Sequence, residues 1–316
     1  MKLHEITKRM QAVGMPIRAD TENKDQRRLL QLLGFEPDNF YQEIEMDYPL
    51  VQTQEDVSTA RDVVELHSHS YYEIIFVRSG NLQYLIGTQR YRVQRGDILL
   101  IAPGISHRPL FLERLAEPYG RYVIWLSADC ASLLHQQWPF LQKLSAGPCM
   151  LRTADLPGDS IAYFENTFRH GVKEAQAAIP GWQAEVFANT LSLLVALHRT
   201  FNSGSAPQPP VEKRELLDEI MAYVENHLAE RITLEDTARQ FHVSESTVSQ
   251  LFRKRLSVSY YRYVTQRRLI AAKTLILEDT PLETVAEQVG FSDYSGFYRA
   301  FKQEYGISPT KFKALP

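Results

Sequence analysis

Cysteine is nearly absent from this 316-residue chain: there are two, Cys130 and Cys149, and no CxxC spacing. Two cysteines cannot make a disulfide framework, so a reducing compartment is the expectation. Long apolar runs are missing too. The strongest, EIIFV and DILLIAP, are far shorter than the roughly 18 residues that suggest a membrane span. The opening MKLHEITKRMQ has no apolar stretch after its lysine, so no signal peptide is expected. An excess of positive charge is also lacking, since the net charge is −3, which excludes a protein coated in basic surface. These absences together predict a soluble, cytoplasmic protein.

What is present suits folded domains. Hydrophobic residues make up 44% and charged residues 23%, so sizeable cores are available, and 316 residues suggest two domains. Charge is unevenly spread: residues 231–316 hold 13 Lys+Arg against 9 Asp+Glu, whereas residues 1–201 hold 20 against 23. A mildly basic end on a mildly acidic body is compatible with a nucleic-acid-binding module. The clearest break is NSGSAPQPP at 202–210, where glycine and three prolines suit neither a helix interior nor a central strand. The expected domains are therefore 1–201, a linker over 202–210, and 211–316.

Residues 72–127 carry short β-type runs, YYEIIFVR, LQYLIG, YRVQRGDILLIA and RYVIWLS, separated by Gly and Pro turns. Such spacing predicts a sandwich or small barrel. Residues 160–201 read as helical, with Phe187, Leu191, Leu194, Val195 and His198 on one face. That face would pack on the barrel or on the same helix of a second subunit. KDQRRLLQLLGF reads as a helix ending at Gly34, without an assigned role.

After the linker, about six short helices are expected, and two segments repeat. TLEDTARQFHVS (233–244) aligns with PLETVAEQVGFS (281–292) at an offset of 48, pairing Leu234 with Leu282, Ala238 with Ala286 and Ser244 with Ser292. Each unit is a short helix with a small alanine in its middle, a three-residue turn, then a second helix opened by Ser or Asp as N-cap. This is the helix-turn-helix pattern, twice. Periodicity places Val248, Leu251 and Phe252 in one core and Phe297, Ala300 and Phe301 in the other. It leaves Ser246, Ser249, Gln250 and Arg253, and Ser295, Gly296, Arg299 and Lys302, facing outward. Arginine pairs bidentately with guanine and glutamine with adenine, so these faces suit base edges in double-stranded DNA.

GFSDYSGFYRAFKQEYGISPTKF is close to the signature of AraC-type transcription regulators, and RLIAAKTLIL, with Arg268 and the Ala272-Lys273 pair, resembles their central helix. The resemblance covers the last 105 or so residues. It implies binding to two successive major-groove segments, with base-facing candidates at Ser246, Ser249, Gln250, Ser295, Gly296 and Arg299. Ser257 stands where the first unit commonly has glycine, and Gly296 offers a base no side chain.

One further stretch, HSHSYYE at 67–73, places two histidines and a glutamate at metal-ligand spacing. With Gly80, Gly96-Asp97 and Pro103-Gly104-Ile-Ser-His107, it resembles the two cupin motifs, and AraC-type regulators often carry a cupin-like sensor barrel. In metal-binding cupins such positions hold a transition metal, which gives His67, His69, Glu73 and His107 as alternative ligands. In sensor barrels the same fragment serves as framework around an organic effector. Phe111 stands where the second motif often has asparagine, which weakens the enzyme reading. Tyr71, Tyr72, Tyr84 and Trp125 supply aromatic faces near the barrel.

The fold expected is thus α+β in two domains, a cupin-like β-barrel with flanking helices followed by an all-α double helix-turn-helix. The function expected is a bacterial DNA-binding regulator, not an enzyme and without a cofactor. It would answer a small effector such as a sugar at His67, His69, Glu73, His107, Tyr84 and Trp125. A homodimer is expected, contacting RNA polymerase if the protein is an activator. The alternatives are a cupin metalloenzyme fused to a DNA-binding domain and a regulator whose barrel only dimerises.

Overall fold

The computed structural model describes residues 46, 50–58, 66–111, 117–145, 150–156, 158–202, 215–256 and 258–313. These fall in two compact units, one over 46–212 and one that includes 213–316. The KDQRRLLQLLGF segment, nearly all of the NSGSAPQPP linker, Cys149 and Ser257 lie outside the described residues.

The first unit holds strands β1 (Val51–Ser58), β2 (Tyr72–Val77), β3 (Leu82–Ile86), β4 (Gln89–Val93), β5 (Asp97–Ile101), β6 (His107–Leu110), β7 (Tyr119–Leu126) and β8 (Met150–Arg152). One sheet runs β1-β7-β2-β5-β8 and the other β4-β3-β6, with neighbouring strands antiparallel. The continuous apolar run of β2 reflects two covered faces. Ile75 and Val77 turn inward among Tyr84, Ile86, Leu99 and Tyr119, while Ile74 and Phe76 turn outward under a helical layer. That layer consists of α1 (Ala128–Gln137), α2 (Ser160–Ala177) and α3 (Trp182–Asn202).

Strands expected from YYEIIFVR, LQYLIG, YRVQRGDILLIA and RYVIWLS are present as β2, β3, β4 with β5, and β7. The helical stretch expected over 160–201 is two helices, because Ala178 and Gly181 take left-handed backbone conformations (φ 50° and 97°) on either side of Pro180. The buried face of α3 also differs from the expected one. Val186, Thr190, Leu193, Leu194 and Leu197 are buried, while Phe187, Leu191, Val195 and His198 are only half-buried. The helix is rotated so that its aliphatic stripe is fully buried, while Phe187 and Leu191 pack at the edge of the same core.

The second unit is helical: α4 (Leu216–Asn226), α5 (Leu234–Gln240), α6 (Glu245–Leu256), α7 (Tyr260–Leu277), α8 (Leu282–Gln288), α9 (Tyr294–Tyr305) and α10 (Pro309–Lys313). Both expected N-caps form. Thr247 N–H donates to Ser244 Oγ at 3.1 Å, and Gly296 N–H to Asp293 Oδ1 at 2.7 Å. The central alanines of the repeat, Ala238 and Ala286, are buried, where a larger side chain would hold the paired helices apart. Phe252 packs on Tyr260 and Tyr263 in one half, and Phe301 on Phe297, Tyr305 and Phe312 in the other. Burying each such ring contributes about 1.5–3 kcal/mol. Leu251 and Ala300, expected in the cores, are half-buried at their edges.

Helix α7 ties the halves together through polar groups. Arg267 donates to both carboxylate oxygens of Glu225 on α4, at 2.7 and 2.5 Å, and Arg262 meets Glu304 of α9 at 2.6 Å. Arg268 donates to the carbonyls of Leu228 and Glu230 at 3.0 and 2.7 Å, closing the carbonyl end of α4 and the turn after it. Lys273 is buried over the rings of Tyr305 and Phe312, and burial pushes its ammonium down to about 7.

The turn of the second helix-turn-helix requires Gly290. Its φ is +84°, and a Cβ there would lie 2.1 Å from the Leu228 carbonyl oxygen. His242 takes the left-handed conformation (φ 54°) at the matching position of the first unit. Gly290→Ala is therefore expected to destabilise the helical unit by about 2 kcal/mol or more, from strained backbone and a clash with main chain. Equilibrium denaturation followed by far-UV circular dichroism measures this, with His242→Ala expected to cost less.

Candidate functional site

The histidines meet because the chain before β2 pairs with the start of β6. His107 N–H donates to His67 O at 2.9 Å and His67 N–H to His107 O at 3.3 Å, while Gly104 N–H donates to His69 O at 2.8 Å. This short bridge sets the imidazoles of His67 and His107 4.3 Å apart, centre to centre, and those of His69 and His107 4.8 Å apart. Glu73 arrives from β2, where it is flanked by Trp125 on β7 and Ile101 on β5. Trp125 Nε1–H donates to Glu73 Oε1 at 3.0 Å. Tyr84 stacks on His107 at 6.5 Å, and Tyr71 stacks on His69 at 3.9 Å. All six residues expected at the effector site thus lie in one buried cluster, apart from half-buried His67. Tyr72 does not join them, because its ring packs with the helical layer outside the sheet.

The ring nitrogens divide in a consistent way. Nδ1 of His69 is 2.8 Å from the Tyr71 carbonyl oxygen and Nδ1 of His107 is 2.9 Å from that of Ile105. A carbonyl only accepts, so each Nδ1 carries the proton and each Nε2 is turned towards the third member. Nε2 of His107 is 3.0 Å and Nε2 of His69 3.6 Å from Glu73 Oε2. Burial by itself would raise the Glu73 carboxyl, but protons on the Nε2 atoms facing it stabilise the carboxylate, outweigh burial and hold it well below the usual carboxylate range; a bound metal would take the place of those protons. Burial lowers the His69 imidazole despite the neighbouring carboxylate. Burial also pushes the Tyr84 phenol well up, so it remains a hydrogen-bond donor.

These groups also fit a metal. One ligand atom each from His69, Glu73 and His107 lies within 4.8 Å of the others, and neither Nε2 has a well-directed hydrogen-bond partner. The Nδ1–carbonyl bonds are the outer support that metal-binding imidazoles normally have. His67 stands beside this trio rather than in it, so the four-ligand set becomes three among the described residues.

In the helical unit, Ser246, Gln250, Arg253, Ser295, Arg299 and Lys302 are exposed, and Ser249 and Gly296 are half-exposed. Val248 and Phe252, or Phe297 and Phe301, anchor the opposite side of each helix. The two outward faces therefore present hydroxyl, amide and guanidinium groups on rigid supports. The ring of Tyr71, expected as an aromatic face near the barrel, joins the cluster on His69, whereas the carbonyls of Tyr71 and Ile105 complete it without having been singled out. Backbone acceptors leave no side-chain signal, although both sit two residues from a histidine.

Comparison with known proteins agrees with both units. Residues 53–109, which include every cluster member except Trp125, match the AraC-like ligand binding domain, and residues 237–314 match a helix-turn-helix domain. The chain is 26% identical over 264 residues to an uncharacterized HTH-type transcriptional regulator of Bacillus subtilis, YfiF, covering 79% of each chain. It is 24% identical over 254 residues to the HTH-type transcriptional activator RhaS of Salmonella typhimurium, covering 77% of this chain and 85% of RhaS. Among solved structures, the C-terminal domain of AraT, a response regulator from Geobacillus stearothermophilus, is 28% identical, covering 30% of this chain and 81% of its own, with a TM-score of 0.30. Among the described residues no helix is long and apolar enough to cross a membrane.

Trp125→Phe keeps an aromatic side chain but removes the pyrrole N–H that donates to Glu73. It is expected to lower the stability of the barrel unit by about 1–3 kcal/mol, the cost of losing one hydrogen bond to a buried charge. Thermal unfolding monitored in the near-UV reads this, and an unchanged Tm would show that Glu73 does not depend on Trp125.

Proposed function

This chain is an AraC-type DNA-binding transcription regulator, with an AraC-like ligand-binding domain ahead of a double helix-turn-helix, and we propose that a small effector in the barrel controls it. The effector is a sugar or related metabolite, held by His67, His69, Glu73, His107, Tyr84 and Trp125. One observation supports this reading above others: fixed imidazole, carboxylate and phenol groups converge inside the barrel beside aromatic faces. Hydroxyl groups of a sugar need that mixture of donors and acceptors, and its apolar ring face needs an aromatic surface. Control of this kind requires the effector to favour one arrangement of the protein over another. The protein acts as a homodimer through α3, with its helix-turn-helix faces on two half-sites, and as an activator it would contact RNA polymerase. The regulators it resembles give no reason to assign it a catalytic activity.

Base reading falls to Ser246, Ser249, Gln250 and Arg253 in the first unit and to Ser295, Gly296, Arg299 and Lys302 in the second. Arg299 is the strongest of these, being exposed, preorganised on α9 and able to pair bidentately with a guanine.

The second reading is a transition metal at His69, Glu73 and His107, favoured by the orientation of both Nε2 atoms. When bound, such an ion would act as a Lewis acid or as the sensed species itself. The chain's own part would be to hold two neutral imidazoles and a carboxylate in place through Tyr71, Ile105 and Trp125.

Arg299→Ala is expected to weaken operator binding by about 1–3 kcal/mol and to relax preference at one base position. Gel-shift titrations on the operator and on random DNA check this, because equal losses on both would assign Arg299 to a phosphate. His107→Ala is expected to abolish the response of DNA binding to a sugar panel while leaving basal affinity within about twofold. Native mass spectrometry of the chain purified without chelators separates the two readings. One transition metal per chain, lost in His69→Ala, supports the metal; a metal-free chain whose melting rises with a sugar supports the organic effector.

A further inference from the structure

We propose that the space between the five-stranded sheet and helices α1 and α3 is a second ligand site, for a compact, uncharged, mainly apolar molecule of about one ring. The helical layer packs closely over most of the sheet, with Phe76, Phe168 and Leu193 fully buried. Where the start of β2 and the end of β5 pass under α1 and α3, it instead leaves a cavity of about 180 Å³. Tyr72, Ile74 and Leu100 form its sheet wall, and Ala131, Leu134 and Leu194 its helical wall. Lining atoms beside an empty space forfeit their dispersion contacts, so an unfilled space of this size costs stability unless something occupies it. An aliphatic-lined cavity of about 150 Å³ stays dry and takes up benzene, which sets the size and character of the occupant.

Charge narrows the class further. Among the described residues the lining holds no lysine or arginine, and its acidic member, Glu73, belongs to the carboxylate cluster of the barrel. An anionic ligand would be repelled, and a cation would leave water for walls that are almost wholly aliphatic. Tyr72 and His135 are the half-buried polar side chains of the lining, and they suit one hydroxyl or carbonyl group at the open side. A phenol, an indole or a cyclic alcohol has this character.

The cavity also touches the parts that position the histidine cluster. Ile105, 39% exposed, lines it, and the Ile105 carbonyl holds His107 Nδ1. Glu73 stands on the same strand as Tyr72 and Ile74, and Leu194 belongs to α3. An occupant would therefore bear on the 102–105 turn, on β2 and on α3 together. That regulatory consequence rests on the effector reading above; the site itself does not.

The test uses the full chain with p-cresol, indole and cyclohexanol as probes and benzoate as the charged counterpart. Thermal unfolding is read for the wild type and for two variants that fill lining positions, Ala131→Leu on the helical wall and Leu144→Phe at a further leucine of the lining, each first shown by circular dichroism to be folded. The expected result is a rise of roughly 5 °C in wild-type Tm at a hundredfold excess over Kd for at least one neutral probe. Benzoate should give a smaller rise, and a filling variant at least a tenfold weaker Kd. No rise with any neutral probe overturns the proposal, as does a rise that both folded filling variants retain. Operator affinity, measured with and without saturating probe, is a separate reading. Binding in the cavity with unchanged operator affinity keeps the site and removes its regulatory role, whereas a response to sugars without cavity binding keeps the effector reading and removes the site.

Discussion

A carboxylate placed inside a barrel of aliphatic and aromatic side chains must be compensated, and the arrangement around Glu73 follows from that need. Its oxygens face Nε2 of His107 and His69 on one side and Nε1–H of Trp125 on the other. Each partner is in turn anchored. The two imidazoles are tied through Nδ1 to main-chain carbonyls, and Trp125 sits directly across the ladder from Glu73. Any one of these groups alone would be a buried polar atom with a large desolvation cost. Together they hold the strand entering β2, the chain leaving the 102–105 turn and the end of β7 in one relation. The same compensation leaves two Nε2 atoms and a carboxylate oxygen aimed at one another inside the barrel.

The helical unit meets a related problem by different means. Its two helix-turn-helix halves each bury a small aromatic core, and α7 passes between them. Four polar residues of α7, Arg262, Gln266, Arg267 and Arg268, reach to α4, to α9 and to the turn after α4. Hydrogen bonds of this kind demand particular directions, whereas apolar contacts tolerate sliding. They therefore fix how the outward face of α6 lies relative to that of α9, on which any reading of two groove segments by one chain depends. Gly290 contributes to the same relation, since only a residue without Cβ lets the second turn approach Leu228.

Much of this was legible in the residues. The repeat at an offset of 48 located both helix-turn-helix units, their N-caps Ser244 and Asp293, and the buried alanines, because capping and close helix approach are local demands met by particular residue types. Strands β2, β3, β5 and β7 were visible as apolar runs between glycine turns. Strand β1 was not, because VQTQEDVS is largely polar and owes its conformation to eight paired positions along β7. Helix α1 was missed as well: ADCASLLHQQ is short, and its helical state rests on the Ser127 cap and on burial of Cys130, Ala131 and Leu134. The face of α3 was read about one residue out of phase, since periodicity identifies an apolar stripe but not which edge of it meets the core.

The histidine–glutamate cluster shows the same division. Residue types and spacing in HSHSYYE, with His107 further on, determined that an acid and three imidazoles were available for one site. Only the folded chain decided that His69 and His107 take up Glu73 while His67 stands aside, that Trp125 rather than Tyr72 completes the cluster, and that a cavity opens behind β2. The physical reason is one of range. Capping, turn chemistry and amphipathic period are settled within a few residues of the chain, so they can be read along it. Strand register, the rotation of a packed helix and the partners of a buried carboxylate are set by groups 30 to 50 positions away or more, as Glu73 is from His107 and Trp125. They exist only once the sheets have closed.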